Sequence, residues 1–511
     1  MTTPSRPSWP TSLTWMPRVL LGIVTFLLAV LTLVGIVAAG AIRTSRAMHP
    51  SNHAPTGEYG RSTLHTEPVG QDEPASTQQH HRIVVAFVLG AAGTVPSDLL
   101  APYDIFASSP AFRTYVVAQS SRPAPLEGGP SLVPMYTFAD VEAHPGLRPD
   151  VVVVPALTTP DGPTEAPLRG WVTRQHDTGA RVLGVCSGSL VLAATGMLDG
   201  LHATSHWSRI GALEASHPDV HWVRGQRYVE DGSVTTTAAV SSGVPAALHL
   251  VAELVGPGEA QRIADQHREL GWSPALGTKI AKDHFALRDW PVGLNWVMPW
   301  FRPILGIYLR DGVDELDATA AFEVYGQSAA ARTVALATSG TVRTRHGIVL
   351  LTTGLSDAPH LARVVVPDAG ASGASGAPAA HGVLDPQVHR WAQDRGIRPE
   401  LWTGGGAHSD GMSGSGFAAA LQDLADHTDT ATAKSTAKMI GYPVEGLDLD
   451  SPHRAWRTSL LTAVALALAI LVAMTPARLI RRRRLRTTTA RIPDQQPPMT
   501  QESRFVSARD N

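Results

Sequence analysis

The chain contains one cysteine, Cys186, and the residues around it are typical of a nucleophile. An apolar run, Arg181–Val185, leads into it, and small residues beginning with Ser187 follow before a helical pattern. A strand that turns sharply into a helix at such a residue is a nucleophile elbow, which presents the sulfur at the carboxyl end of a sheet. The helix N-terminus is expected to lower the thiol pKa, and nearby N–H groups to hold an oxyanion. The competing interpretation is a buried, inert thiol, the commoner state of a lone cysteine.

Two further residues have side chains suited to acid–base chemistry with this thiol. His206 lies 20 residues after Cys186, and a histidine beside a cysteine is the usual route to a thiolate. Asp98 follows the first predicted strand, so it faces the same edge of a parallel sheet and could exchange a proton with the thiol. The alternatives are a helix-capping role for Asp98 and a histidine satisfied by other contacts for His206.

Alternating strand and helix patterns position these residues. Apolar strands and helices alternate through residues 82–265, which predicts a parallel α/β sheet covered by helices on both faces. The predicted strands are Ile83–Leu89, Arg113–Ala118, Asp150–Pro155 and Arg181–Val185.

The pattern then recurs, which indicates an internal duplication of a whole domain. Five segments of residues 303–447 repeat five segments of the first domain in the same order. The repeats are Ile304–Leu309, Asp317–Tyr325, Arg332–Ala337, Arg363–Pro367 and Ser415–Leu421. The second copy lacks the stretch that carries the cysteine elbow, and a segment rich in Gly, Ala and Ser around Ala369–Ala380 stands there instead. It is therefore predicted to be a degenerate copy with a structural or ligand-shaping role.

The segments around the elbow resemble the ThiJ/PfpI superfamily, a class I glutamine amidotransferase-like group. They are most similar to the sensor domains of AraC-type regulators and to isocyanide hydratases. The resemblance is carried by DLLAPYDIF (98–106), DVVVVP (150–155), GVCSGSLVLAATGMLDG (184–200), ATSHW (203–207) and SSGVPAALHLVAEL (241–254). It implies a flavodoxin-like parallel sheet sandwiched by helices, with Cys186 as nucleophile, Asp98 as the acidic partner, His206 downstream and Ser187 lending an N–H or hydroxyl.

The sequence departs from that superfamily at several places, one of which is Pro245, where relatives often carry Asp. Ala156 and Leu157 stand where Gly-Gly usually follows the VVVVP strand, which removes half of the expected oxyanion hole. The chain also continues into a second sheet-like copy rather than a DNA-binding domain, and its net charge is only −2, so no nucleic-acid partner is expected.

Two uncharged apolar segments predict transmembrane helices at residues 19–42 and 458–477. Six arginines between Arg478 and Arg486 mark the following segment as cytoplasmic, so both termini are expected inside and the domains outside the cell membrane. A cleaved signal peptide is the alternative for the first segment. The expected segments are a cytoplasmic N-terminus (1–18), a span (19–42), a flexible stalk (43–80), the ThiJ/PfpI-like domain (82–265), a helical linker (266–302), the degenerate copy (303–447), a span (458–477) and a basic cytoplasmic tail (478–511).

Two functional classes follow from these observations. The first is a membrane-anchored enzyme that hydrates or hydrolyses a small molecule through Cys186. The second is a non-catalytic sensor or scaffold that keeps the fold and a ligand pocket. The sequence predicts no metal and no cofactor, since the stalk histidines are irregularly spaced. Beyond the lipid bilayer and a small-molecule ligand, the expected association is an intramolecular pseudo-dimer or a homodimer.

Overall fold

The computed structural model describes residues 16–48, 82–267, 273, 275, 277–300, 302–367, 384–402, 416–445, 447–450, 460, 463–464 and 466–471. The chain divides into two compact units, residues 1–37 with 460–511, and residues 38–459.

The helix α1 (Met16–Met48) is long and apolar enough to cross a membrane. It is the one such helix among the described residues, and a signal sequence near an N-terminus has the same properties. The helix continues past residue 42, where the stalk was predicted to begin. The rest of that stalk, the tail 478–511 and most of the second predicted span, 458–477, lie outside the described residues; the described residues of that span are helical.

Residues 82–267, here called the first half, form an α/β domain. Its strands are β1 (Ile83–Val88), β2 (Phe112–Ala118), β3 (Ala124–Pro125), β4 (Ser131–Val133), β5 (Tyr136–Thr137), β6 (Val151–Val154), β7 (Arg181–Gly184), β8 (His202–Ala203), β9 (His221–Trp222), β10 (Tyr228–Asp231) and β11 (Val234–Thr237). Its helices are α2 (Pro96–Ala107), α3 (Phe138–Ala143), α4 (Ala166–Asp177), α5 (Gly188–Ala193), α6 (Trp207–Ser216), α7 (Gly243–Leu254) and α8 (Pro257–Gln266).

Seven of these strands form one sheet in the order β10-β11-β7-β6-β1-β2-β5. Every neighbouring pair is parallel except β10 with β11. All four side chains of β6 are buried, because apolar clusters cover both faces of the sheet. The predicted parallel α/β architecture is thus confirmed, with each predicted strand within two residues of its observed bounds.

Residues 302–450, here called the second half, form another parallel sheet, and a helix, α9 (Trp290–Val297), precedes it. Its strands are β12 (Ile304–Tyr308), β13 (Arg332–Ala337), β14 (Thr341–Arg343), β15 (Val349–Leu351), β16 (Thr353–Gly354), β17 (Arg363–Val366) and β18 (Glu400–Leu401). Its described helices are α10 (Glu315–Ser328), α11 (Pro386–Asp394), α12 (Gly416–His427) and α13 (Thr430–Ile440). The sheet order is β16-β13-β12-β17-β18, all parallel.

Two features join the halves. A four-stranded antiparallel sheet, β14-β15-β4-β3, contains one hairpin from each, with Val349 opposite Val133 and Leu350 opposite Leu132. The helices α2 and α10 also pack against each other, and one apolar core cluster contains residues of both halves.

The predicted helical linker, 266–302, is wrong over part of its length. Residues 277–286 form no helix. Among the described residues that follow them in the linker, the short turn Leu287–Asp289 and α9 are helical. The apolar and aromatic residues that suggested a helix are not periodic over 277–286.

Candidate functional site

Cys186 lies at the turn from β7 into α5, in a left-handed backbone conformation with φ +53°. L-residues rarely adopt this conformation, and a side chain there stores strain, as nucleophile elbows do. Its N–H donates a 2.9 Å hydrogen bond to Thr237 Oγ1 on β11. The turn also requires glycine at 188, because a Cβ there would lie 2.1 Å from the carbonyl oxygen of Val154. The predicted elbow is therefore built by contacts to the strands on both sides of β7.

The thiol of Cys186 is enclosed, with 6% of the residue exposed. Burial raises its pKa well above the usual range, and the negative charges of Asp98 and Glu323 add to this, while the N–H of Ser187 acts in the opposite direction. The expectation of a lowered thiol pKa is therefore wrong for this structure. The physical reason is that the fold excludes solvent from the sulfur, which disfavours the charged thiolate.

Ser187 is the N-cap residue of α5, and its side chain makes no capping hydrogen bond. Its Oγ lies 4.0 Å from Cys186 Sγ, the outer limit for a sulfur hydrogen bond. The backbone N–H of Ser187 favours negative charge on the sulfur. Ser187 thus lies beside the thiol through its position next to Cys186, and its predicted role stays a prediction.

Asp98 lies in the first turn of α2 and is fully buried. Its Oδ2 accepts a 3.1 Å hydrogen bond from the N–H of Ala156, while its Oδ1 has no hydrogen-bond partner. Burial raises the pKa of Asp98 well above its usual range, and the charge of Glu323 raises it further. A carboxyl in this state keeps its proton to higher pH than an exposed aspartate does, and it can donate that proton.

The loop after β6 carries Ala156 and Leu157, where the resemblance led us to expect Gly-Gly. The N–H of Ala156 is used by Asp98, and its carbonyl accepts a 3.0 Å hydrogen bond from the N–H of Val95. This loop is therefore tied to the start of α2, and the N–H of Ala156 serves Asp98 rather than a bound oxyanion.

His206 follows a residue that contacts the elbow, but its own ring is not directed at the thiol. The hydroxyl of Ser205, the residue before it, lies 3.5 Å from the carbonyl oxygen of Cys186. The ring of His206 has Nδ1 2.7 Å from Ser208 Oγ and Nε2 2.7 Å from the carbonyl oxygen of Met439 in α13. Burial lowers the pKa of His206 to about 4, so it is neutral at physiological pH. The structure thus groups Cys186, Ser187 and Asp98, and engages both nitrogens of His206 elsewhere.

Two acids near the site were not singled out in the sequence, and one of them comes from the second half. Glu323 on α10 accepts a 2.5 Å hydrogen bond from Ser97 Oγ, the residue before Asp98. Burial and the charge of Glu323 together raise the pKa of Glu127 to about 7. The repeat itself contains a signal for Glu323, because Asp317–Tyr325 aligned with Asp98–Phe106 places Glu323 opposite Asp104.

A small depression with a cavity volume of about 10 Å³ lies beside these acids, between the start of α2 and α10. Its lining residues come from both halves: Val95, Pro96, Glu127, Phe322, Glu323, Gly326 and Gln327. This volume is about that of one water molecule, and the two carboxyl groups of Glu127 and Glu323 face it.

In a comparison with known protein families, residues 84–253 match the model of the DJ-1/PfpI family. An isonitrile hydratase of Pseudomonas putida is 31% identical over 190 residues, which cover 35% of this chain and 74% of that protein. The HTH-type transcriptional regulator CdhR of Pseudomonas aeruginosa is 31% identical over 142 residues, covering 27% of this chain and 42% of that protein. A crystal structure of a ThiJ/PfpI family protein from Pseudomonas syringae is 29% identical, covers 38% of this chain and 78% of that one, and superposes with a TM-score of 0.34.

Proposed function

Because this chain belongs to the DJ-1/PfpI family, we propose that its first half hydrates or hydrolyses a small molecule, with Cys186 as nucleophile and Asp98 as proton donor and acceptor. The observation that carries this proposal is the conformation of Cys186. Cys186 is strained and left-handed at the end of a central strand, and its thiol is under the electrostatic influence of Asp98, a buried carboxyl with one oxygen free of hydrogen bonds. This combination is difficult to explain by stability alone.

The chemistry suits an electron-poor carbon on a neutral molecule. For an isonitrile, the sulfur of Cys186 bonds to the terminal carbon, and the thiol proton is transferred to that carbon through the Asp98 carboxyl, which gives a thioimidate. Water then adds to the same carbon, and one of its protons goes to the nitrogen. The carbon–sulfur bond breaks as the other proton of the water passes to the sulfur. The products are a formamide and the free thiol. A neutral substrate agrees with the raised pKa values of Asp98 and Glu127, since no anion has to enter.

The test is turnover of a small alkyl isonitrile by the full chain purified in a mild detergent, followed as formamide released. We expect turnover by the wild-type chain and none by Cys186→Ala or Cys186→Ser. The matched control is His202→Gln, a substitution of an exposed histidine, and we expect it to keep the wild-type rate. Equal turnover in Cys186→Ala would contradict the proposal.

A second function, a non-catalytic small-molecule sensor or scaffold, is favoured by the loop at Ala156. Its N–H is used by Asp98, and the thiol is enclosed, so the site lacks an evident oxyanion hole. In that case the wild-type chain turns over no isonitrile, and a ligand raises the melting temperature of wild-type and Cys186→Ala chains equally.

We further propose that the second half is a degenerate copy of the first and that the two form an intramolecular pseudo-dimer. The strand order β13-β12-β17 corresponds to β2-β1-β6, and the paired hairpins β3-β4 and β14-β15 support this. The contact of Glu323 with Ser97 has a counterpart at the other end of α2 and α10, where the N–H of Leu316 donates a 3.4 Å hydrogen bond to Asp104 Oδ2. A monomeric mass in detergent is expected; a stable two-chain species would favour the homodimer instead.

For location, we propose a two-pass membrane protein with both termini cytoplasmic and residues 43–457 outside. The apolar α1 and the arginines after residue 477 support it. The proposed segments are those given above, from the N-terminus (1–18) to the basic tail (478–511), with the bilayer and a small molecule as partners and no nucleic acid. Protease added outside intact cells should cleave within residues 43–80 and leave the tail protected.

A further inference from the structure

Five titratable side chains meet between the end of α2 and the start of α10, at the opposite end of these helices from Glu323 and Ser97. They come from four separate stretches of the chain and are Asp104, His267, Asp314, Glu315 and His346. Asp104 belongs to two groups whose ligand atoms lie within 4.8 Å of one another, one with Glu315 and His346 and one with His267 and Asp314.

The first group has the spacing of metal ligands. His346 Nδ1 lies 3.2 Å from Asp104 Oδ1 and 2.9 Å from Glu315 Oε2. Ligands bound about 2.1 Å from one ion lie about 3.0 to 3.4 Å apart at octahedral to tetrahedral angles. Small adjustments of these three side chains would therefore bring all three atoms onto a common ion.

A second, independent observation at Asp104 indicates that this group binds an ion. The residue is fully buried, and its Oδ1 accepts no hydrogen bond although it lies within ion-pair distance of His346. A buried carboxylate oxygen without a hydrogen bond costs free energy unless an unseen group contacts it. Because Oδ2 faces the N–H of Leu316, the unpaired atom is the one that points to Glu315 and His346.

Glu315 is already oriented as a ligand would be. Its Oε1 accepts hydrogen bonds from Thr344 Oγ1 at 2.5 Å and from the N–H of His346 at 2.8 Å. These two donors fix the carboxylate and leave Oε2 facing His346. Such outer contacts orient the ligands of metal sites.

The second group already contains a cation. Arg345 Nη1 lies 2.5 Å from Asp314 Oδ2 and balances that carboxylate. His267 has Nε2 2.9 Å from Ser108 Oγ and Nδ1 3.7 Å from Asp104 Oδ2. A side-chain hydrogen bond also joins Asp104 to Asp314. The ion pairs that the described residues form with Asp104 and Glu315 are with histidines, His267 and His346, and not with an arginine or lysine.

We propose that Asp104, Glu315 and His346 bind one divalent first-row transition-metal ion, such as Zn²⁺, between the two halves. Imidazole combined with carboxylates suits such ions, whereas Mg²⁺ and Ca²⁺ prefer oxygen ligands alone. His346 is 19% exposed, which gives the ion a route from solvent. The ion would link α2 of the first half to α10 and the β14–β15 hairpin of the second.

The competing explanation is a metal-free ion pair. Burial opposes protonation of His346, but its contacts with Asp104 and Glu315 raise its pKa to about 10, so an imidazolium could serve as the only cation. The two explanations differ in what a metal ion does to the protein.

The test is Zn²⁺ titration of the full chain, purified in detergent and stripped with a chelator, against a chromophoric competitor. We expect one ion per chain and a rise in melting temperature on binding. Asp104→Asn keeps the side-chain volume and should weaken binding at least roughly tenfold and abolish the rise, as should His346→Gln. The matched control is His249→Gln, whose imidazole lies between Glu230 and Glu253 in a more exposed group of the same composition.

Three outcomes would overturn the proposal. The first is no stoichiometric binding. The second is binding that Asp104→Asn leaves unchanged, which would place the ion at other histidines. The third is a loss of stability in His346→Gln without any difference in Zn²⁺ affinity, which would favour the ion pair.

Discussion

Glu323 of the second half accepts a hydrogen bond from Ser97, the residue that precedes Asp98 in α2. This contact brings a second-half carboxyl into the electrostatic environment of the candidate nucleophile, because the charge of Glu323 raises the pKa values of both Asp98 and Cys186. The second half therefore influences the proposed chemistry although it carries no cysteine of its own.

The first prediction concerns the thiol. Glu323→Gln keeps an acceptor for Ser97 but removes the negative charge, so the thiol pKa of Cys186 should fall. The measurement is the pH dependence of Cys186 alkylation in the full chain. Glu142→Gln, a surface acid paired with Arg174, is the control and should leave the thiol pKa unchanged. A thiol pKa insensitive to Glu323→Gln would contradict the coupling.

The second prediction concerns Asp98. Asp98→Asn keeps an oxygen for the N–H of Ala156 but cannot exchange a proton, so the proposed turnover should fall by about 10² or more. The free energy of unfolding at pH 8 should stay the same or rise. Burial raises the pKa of Asp98 in the folded state, so ionisation of this group destabilises the fold as pH rises above its unfolded value near 3.8.

A purely structural Asp98 gives the opposite result. If the side chain only fixes the loop after β6, Asp98→Asn retains wild-type turnover and Asp98→Ala alone destabilises the chain. Kinetics and melting temperatures of the two variants side by side distinguish these roles.

The sheet and the elbow could be predicted from sequence because they depend on local patterns. Continuous apolar runs such as Val151–Val154 indicate strands buried on both faces, and the small residues after Cys186 indicate a tight turn. The direction in which the thiol pKa is shifted could not be predicted from sequence, because it depends on how completely the fold excludes water from the sulfur. The charge of Glu323 and the partners of His206 depend on packing between segments more than 200 residues apart.

The third prediction measures backbone strain at the elbow. Cys186 has φ +53°, a conformation that glycine adopts without penalty and alanine does not. Cys186→Gly should therefore be more stable than Cys186→Ala by about 1 kcal/mol, the reverse of the usual order. The measurement is denaturant unfolding of both variants. Ala247→Gly, in the interior of α7, is the control. There glycine should be less stable than the native alanine by about 1 kcal/mol or more.

The fourth prediction concerns acid sensitivity. Burial lowers the pKa of His206 to about 4 in the folded protein, whereas the unfolded value is near 6.5. The neutral ring thus contributes stability that is fully present above pH 6.5 and is lost as pH falls toward 4, by up to about 3 kcal/mol. His206→Gln retains a donor for the carbonyl of Met439 but does not titrate, so its melting temperature should fall less steeply over this interval than that of the wild-type chain.

The appropriate control for this last experiment is His202→Gln, since His202 is exposed and its removal should leave the slope unchanged. His267, whose pKa burial also lowers, is retained in all three chains, so the difference between the wild-type and His206→Gln profiles isolates His206. Parallel profiles for these two chains would show that His206 is not buried as a neutral ring. That result would return it to consideration as a partner for Cys186, because a ring free of Met439 could turn toward the thiol.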